Sequence, residues 1–143
     1  MAKSDFKFFF PLRVRYAETD LQGIVFNSHY LTYFDTAIYE YFRDLSFDYI
    51  EHVKQTGNDF HVVKVLIEFY GPSHFDDEIE VYVRTGRIGR SSLTFLIEIY
   101  AKNSETTLVK GEVVWVNTDQ QSHKSSQLPE ELVVKLRVKE GKN

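Results

Sequence analysis

Between Arg15 and Tyr30 the chain reads Arg15-Tyr16-Ala17-Glu18-Thr19-Asp20-Leu21-Gln22-Gly23-Ile24-Val25-Phe26-Asn27-Ser28-His29-Tyr30. This order carries the end of a strand through a carboxylate-bearing loop into the start of a helix. A helix start leaves backbone N–H groups unpaired and holds a partial positive charge, so it stabilises an anion. A carboxylate facing such amides can run acyl transfer. The acid serves as nucleophile or general base, and an amide receives the oxyanion. Asp20 is the acid in that reading. The same residues also admit a plain loop, with Asp20 capping the turn and Gly23 supplying a positive φ, and spacing alone favours it.

Other chemistries find less support. His29, His52, His61, His74 and His123 show neither H-x-x-x-H nor H-E-x-x-H spacing, so no metal site is expected. Gly86-Arg87-Ile88-Gly89-Arg90-Ser91-Ser92 lacks the gap and the Gly-Lys-Ser/Thr unit of a nucleotide-binding loop. It reads as a hairpin turn with solvated arginines. The chain has no cysteine, which excludes a thiolate nucleophile, a disulfide framework and Cys-ligated metals. Seventeen basic against 21 acidic residues give a net charge of −4, which argues against a dedicated nucleic-acid binder. No stretch approaches the roughly 20 apolar residues that span a bilayer. The run Phe8-Phe9-Phe10-Pro11-Leu12 is too short for a signal peptide, so the expected location is the cytoplasm.

The elements that must position Asp20 follow from hydrophobic periodicity. Residues 6–16 alternate as a strand. Tyr30, Tyr33, Phe34, Ala37, Ile38, Tyr41, Phe42 and Leu45 recur at steps of three and four, predicting one long helix with Asn27 or Ser28 as its N-cap. Residues 47–55 predict a second, short helix ended by Gly57. Strands are expected over residues 62–70, 79–84, 93–99 and 108–116, with turns at residues 86–89 and 103–105. Pro129 opens a terminal helix. A βαββββ order predicts an α+β fold, one antiparallel sheet of about five strands around one helix, as a single domain over residues 1–143. Such a sheet leaves an edge strand that needs blunting or a second chain. Twelve Phe, nine Tyr and one Trp amount to 15% aromatics, a surplus that suits a lined pocket or a partner surface.

The segment from Tyr16 through Asp20, Gly23, Ile24, Val25, Phe26 and Tyr30 resembles the signature of hotdog-fold acyl-CoA thioesterases. The likeness is to the 4-hydroxybenzoyl-CoA and Tol-Pal-associated branch. Phe60, Tyr70, Pro72 and Asp77 resemble that family's second-strand region and the acidic turn after it. Arg90-Ser91-Ser92 resembles the polar start of its third strand, and the likeness covers roughly residues 10–118.

The resemblance implies a hotdog fold and an enzyme that hydrolyses a coenzyme A thioester to free acid and coenzyme A. Asp20 would be the catalytic carboxylate and the Asn27 N–H the oxyanion donor. Gly23, Ile24, Val25, Phe26 and Tyr30 would border the substrate, and Arg90, Ser91 and Ser92 would approach the coenzyme A phosphates. Many bacterial relatives carry His where this chain has Asn27. A backbone amide survives that change, while a proton-handling role for the side chain does not. No cofactor is implied, since coenzyme A belongs to the substrate. The family also implies a homodimer, or a tetramer of paired dimers, with sites at the dimer interface. A non-catalytic acyl-CoA or lipid-binding module on the same fold is the alternative. A hotdog dehydratase ranks last, because His29 is its only candidate histidine.

Overall fold

The computed structural model describes residues 1–141. Its strands are β1 (Phe9–Arg13), β2 (Asn58–Phe69), β3 (Glu78–Ile88), β4 (Ser92–Ala101) and β5 (Thr107–Asp119). Its helices are α1 (His29–Asp44), α2 (Tyr49–Thr56) and α3 (Glu130–Lys139). All five strands form one antiparallel sheet in the order β1-β3-β4-β5-β2. The sheet curls around α1, and the fold is the α+β hotdog arrangement.

The helical stripe is buried as its spacing requires: every residue from Tyr30 to Phe42 in that stripe is at most 3% exposed. Its aromatic rings meet those on the inner sheet face. Tyr41 and Phe42 lie 6.3 and 5.8 Å from Phe95, and Phe42 lies 5.8 Å from Trp115. Tyr41 also carries a hydroxyl into this core, paired with Thr85 Oγ1 at 2.9 Å and donating to Glu140 Oε1 at 2.8 Å. Burial of an aromatic hydroxyl costs little when both bonds are made.

Gly111 shows how closely α1 approaches the sheet. It lies on the inner face of β5, between Val109 and Val113, and a Cβ there would overlap the Phe34 ring. Gly111→Ala is therefore expected to destabilise the protein by about 1–3 kcal/mol through overpacking. Urea unfolding measures this, and Phe34→Leu in the Gly111→Ala background should recover part of the loss. Unchanged stability in Gly111→Ala would show that the ring has room to move.

Several local expectations are corrected. Ser28 stands at the N-cap position of α1, but its backbone is already helical and neither it nor Asn27 makes a side-chain cap. The helix is entered instead through tight i+3 bonds, from His29 N–H to Phe26 O (3.0 Å) and Tyr30 N–H to Asn27 O (3.2 Å). Gly86 is not in a turn: β3 runs on to Ile88 through a register shift between Thr85 and Ile88, and the turn is Gly89 to Ser91. Strand β2 begins at Asn58, earlier than the expected residue 62, with a second irregularity between Val62 and Lys64. The short helix α2 is capped by Asp48, which accepts from Glu51 N–H, and ends at Gly57 with φ of 71°. Among the described residues, no helix is long and apolar enough to cross a membrane.

Candidate active site

After β1 the chain makes one 3-10 turn, Tyr16–Glu18, and then folds back on itself. Thr19 bridges Val25, Asp20 N–H donates to Ile24 O (2.9 Å), and Phe26 N–H donates to Glu18 O (2.9 Å). Gly23 turns the tip with φ of 75°, a conformation that costs glycine nothing. The loop is fastened to the segment between β2 and β3. Ile24 bridges His74, and Val25 N–H donates to Ser73 O at 2.8 Å. Backbone bonds thus close the Asp20 loop on itself just before the start of α1 and tie it to the segment ahead of β3.

Asp20 is half-buried. One carboxylate oxygen, Oδ1, accepts from Gln22 N–H at 2.8 Å, so the turn-capping role is present. The second oxygen has no partner among the described residues. Asn27 is exposed, and neither its N–H nor that of Ser28 donates to a backbone acceptor among them. These open amides lie at the positive end of the α1 dipole, where a developing oxyanion gains most.

The remaining residues singled out by sequence are spread more widely. Val25 (5% exposed) and Tyr30 (3%) belong to the core cluster, Ile24 is half-buried, and Phe26 is exposed beside His29. The Tyr30 ring meets Phe69 and Tyr33, each at 5.6 Å, and burial raises its hydroxyl pKa. Arg90, Ser91 and Ser92 are not brought to Asp20 within one chain. Ser92 opens β4 and Ala101, paired with Ile79, closes it at the Asp20 end, so roughly 30 Å separates the two regions. Near the Ser92 end lies a groove of about 810 Å3, lined by Tyr39, Phe42, Arg43, Phe47, Tyr49 and Ile50 among others. No group of three His, Asp or Glu residues among the described ones could hold a metal.

Sequence reasoning missed Glu18. Its carboxylate is buried against Tyr33 O–H (2.8 Å) and Arg15 N–H (2.8 Å) at Oε1 and against the Arg15 guanidinium at Oε2. Burial works to raise its pKa, but these donors outweigh it and hold the carboxyl below the usual range. The one signal available was the position of Glu18 three residues after Arg15, a spacing common on any polar turn.

Around this loop the surface is unusually apolar. Leu21 is fully exposed at its tip, and Tyr16, Phe26, Phe69, Tyr70 and Phe75 are each about half or more exposed. Scattered apolar residues are normal on a protein surface, whereas a contiguous set marks an interaction site.

Comparison with known proteins bears on the fold and the family. Residues 22–108 match the Thioesterase superfamily. The acyl-CoA thioester hydrolase YbgC of Escherichia coli O6:H1 is 30% identical over 131 residues, covering 91% of this chain and 96% of that protein. The PA5185 protein of Pseudomonas aeruginosa PAO1 superposes with a TM-score of 0.85 at 24% identity, covering 96% of this chain and 94% of that one. Slr0204, a 1,4-dihydroxy-2-naphthoyl-CoA thioesterase from Synechocystis, superposes with a TM-score of 0.84 at 19% identity over 90% of this chain and 94% of its own. The two structural likenesses speak for the fold, and the first two matches, in sequence, place the chain by descent: it belongs to the thioesterase superfamily, a family of thioester hydrolases.

Proposed function

We propose that the chain hydrolyses an acyl-coenzyme A thioester with Asp20 as the catalytic carboxylate, in a site completed by a second copy. The observation that carries this reading is the half-buried Asp20 with a free oxygen, on a loop locked to a helix start whose first amides are open. Asp20 either attacks the thioester carbon, giving an anhydride that water then cleaves, or takes a proton from the attacking water. In both routes the carbonyl oxygen gains charge and accepts from Asn27 N–H. The C–S bond breaks, coenzyme A leaves as a thiolate and takes up a proton, and the acyl group departs as a carboxylic acid. The sequence relative named for acyl-CoA thioester hydrolysis supports coenzyme A as the leaving group.

The second copy is supported by an asymmetry between the two sheet edges. Edge strand β1 is five residues long and contains Pro11, both of which discourage further pairing. Edge strand β2 is 12 residues long, has no proline, and leaves Val62, Val63, Val65 and Leu66 exposed at 40–59%. Apart from the irregularity at Val62/Lys64, this edge is long and apolar enough to take a strand, and a copy of itself is the simplest complement. Antiparallel self-pairing about the middle of β2 sets the Phe69 end of one strand opposite the Asn58 end of the other. The Phe69 end carries the α1 start, through its contact with Tyr30. The Asn58 end carries the aromatic groove, through Tyr49 hydrogen-bonded to Asp59, and also the Ser92 segment, since Ser92 and His61 both pair with Val116. In such a dimer each Asp20 faces an apolar chamber and the Arg90-Ser91-Ser92 segment of the other chain. The chamber suits the acyl group, and Arg90 suits a phosphate. A cytoplasmic location belongs to the same reading, because coenzyme A thioesters are made and consumed there.

The test is a panel of short aliphatic, long aliphatic and aromatic acyl-CoA substrates followed by free-thiol release. Turnover of at least one member supports hydrolysis. Saturable binding with no thiol released would select the non-catalytic acyl-CoA-binding module instead. Absence of both across the panel would refute both readings.

A further inference from the structure

We infer that Glu18 is a positioning residue for the reaction, setting the distance between the Asp20 carboxylate and the open amides at the start of α1. This rests on the proposed role of Asp20. It starts from the odd placement of a carboxylate that is only 6% exposed and lies within a surface loop. A buried carboxylate is costly unless each oxygen is well supplied with donors. Here Oε1 takes two donors, the Arg15 and Tyr33 groups at 2.8 Å, and Oε2 takes two from the Arg15 guanidinium. The side chain is therefore fully engaged and has no capacity left for substrate.

What it engages is the informative part. Tyr33 lies on the buried stripe of α1, one turn beyond the helix start. Through its side chain, Glu18 ties the loop to that rigid element. Through its backbone carbonyl it takes Phe26 N–H, the last amide before Asn27. Asp20 follows two residues later, with its own N–H committed to Ile24. Residue 18 thus joins three points, the loop, the residue just before the amides, and the body of the helix. Freed from Tyr33, the loop would still close on itself but would lose its fixed height above the helix.

Catalysis by a carboxylate and an amide on one carbonyl is sensitive to their separation. A misplacement of about 1 Å can cost on the order of 10²-fold in rate. Substrate binding is less sensitive, because most of the contact area lies elsewhere. The signature expected of Glu18 is therefore a loss in kcat with little change in KM.

Glu18→Gln keeps the shape but presents an amide N–H2 to the Arg15 guanidinium, donor against donor. Tyr33→Phe keeps the ring and removes one hydroxyl. Each variant, assayed with the acyl-CoA that the parent turns over best, should lose about tenfold or more in kcat with KM within about twofold. Each should unfold cooperatively above the assay temperature. Combined with Asp20→Asn, neither should lower the residual rate much further, because a group that acts through Asp20 has nothing left to position. Parental kcat in both Glu18→Gln and Tyr33→Phe, beside a dead Asp20→Asn, would overturn the positioning role alone. So would a fully additive loss in the double variants, or a lowered melting temperature with unchanged kcat. Parental turnover in Asp20→Asn would instead overturn the assignment of Asp20.

Discussion

Asp20→Asn is expected to leave a folded protein whose release of thiol from acyl-CoA falls by about 10²–10⁴-fold, the span usually lost with a catalytic acid or base. The local geometry makes this an unusually clean substitution. In the native turn Asp20 Oδ1 accepts from Gln22 N–H at 2.8 Å, and an asparagine carbonyl oxygen can accept the same bond. The backbone bonds of the loop do not involve the side chain at all. The replacement therefore removes charge and nucleophilicity while sparing the turn. On the transition-state scale the loss corresponds to about 3–5 kcal/mol. The expected kinetic pattern is a fall in kcat with substrate binding retained. A melting temperature near the parent's would exclude unfolding as the cause. Turnover equal to the parent's would leave Asp20 as a turn cap and nothing more, and the proposed mechanism would be wrong.

Breaking the β2 edge should have the next largest effect. Val65 sits close to the middle of β2 and is 40% exposed. Val65→Asp places two unpaired carboxylates, one from each copy, close together in the apolar centre of a self-paired edge, and inward-facing charge of one sign there destabilises the strand pair. Sedimentation should show the parent as a dimer or larger and the variant as a monomer. Thiol release should fall by about 100-fold or more, since one chain alone presents Asp20 roughly 30 Å from the Ser92 segment. Val134→Asp, on an exposed face of α3, is the control and should change neither property. A monomeric parent with full activity would contradict the dimeric site directly.

These two variants also mark how far the primary structure could be read. The α1 stripe was legible because it follows a single period that burial enforces along the helix, and β4 and β5 because their burial alternates over much of their length, whereas edge strand β2 is exposed almost throughout. Gly23 and Gly57 were legible because a positive φ falls on few residue types. Other features were not. The turn placed at Gly86 lies inside β3, since a register shift lets an irregular strand continue where glycine suggested a break. The missing Ser28 cap has a different cause: Ser28 enters α1 in helical backbone, and its side chain makes no bond to the helix amides. Glu18 was invisible for another reason. Periodicity reports which face is covered, and it said correctly that the Tyr33 ring is buried. It says nothing of what the hydroxyl at the end of that ring touches, and here the partner lies 15 residues away. The long separation between Asp20 and Arg90 within one chain escaped for a related reason. Alternation assigns sides of a sheet but not ends.

The hollow at Gly111 bears on how an acyl preference would evolve in the proposed dimer. With the Phe34 ring seated where a side chain would otherwise stand, α1 is keyed to the sheet like a peg in a socket. Sliding the helix to lengthen or shorten the chamber would unseat that peg. With that groove as the acyl chamber proposed above, adaptation to bulkier or slimmer acyl tails would fall to exchanges at Tyr39 and Ile50, on the groove wall, with the backbone frame left in place.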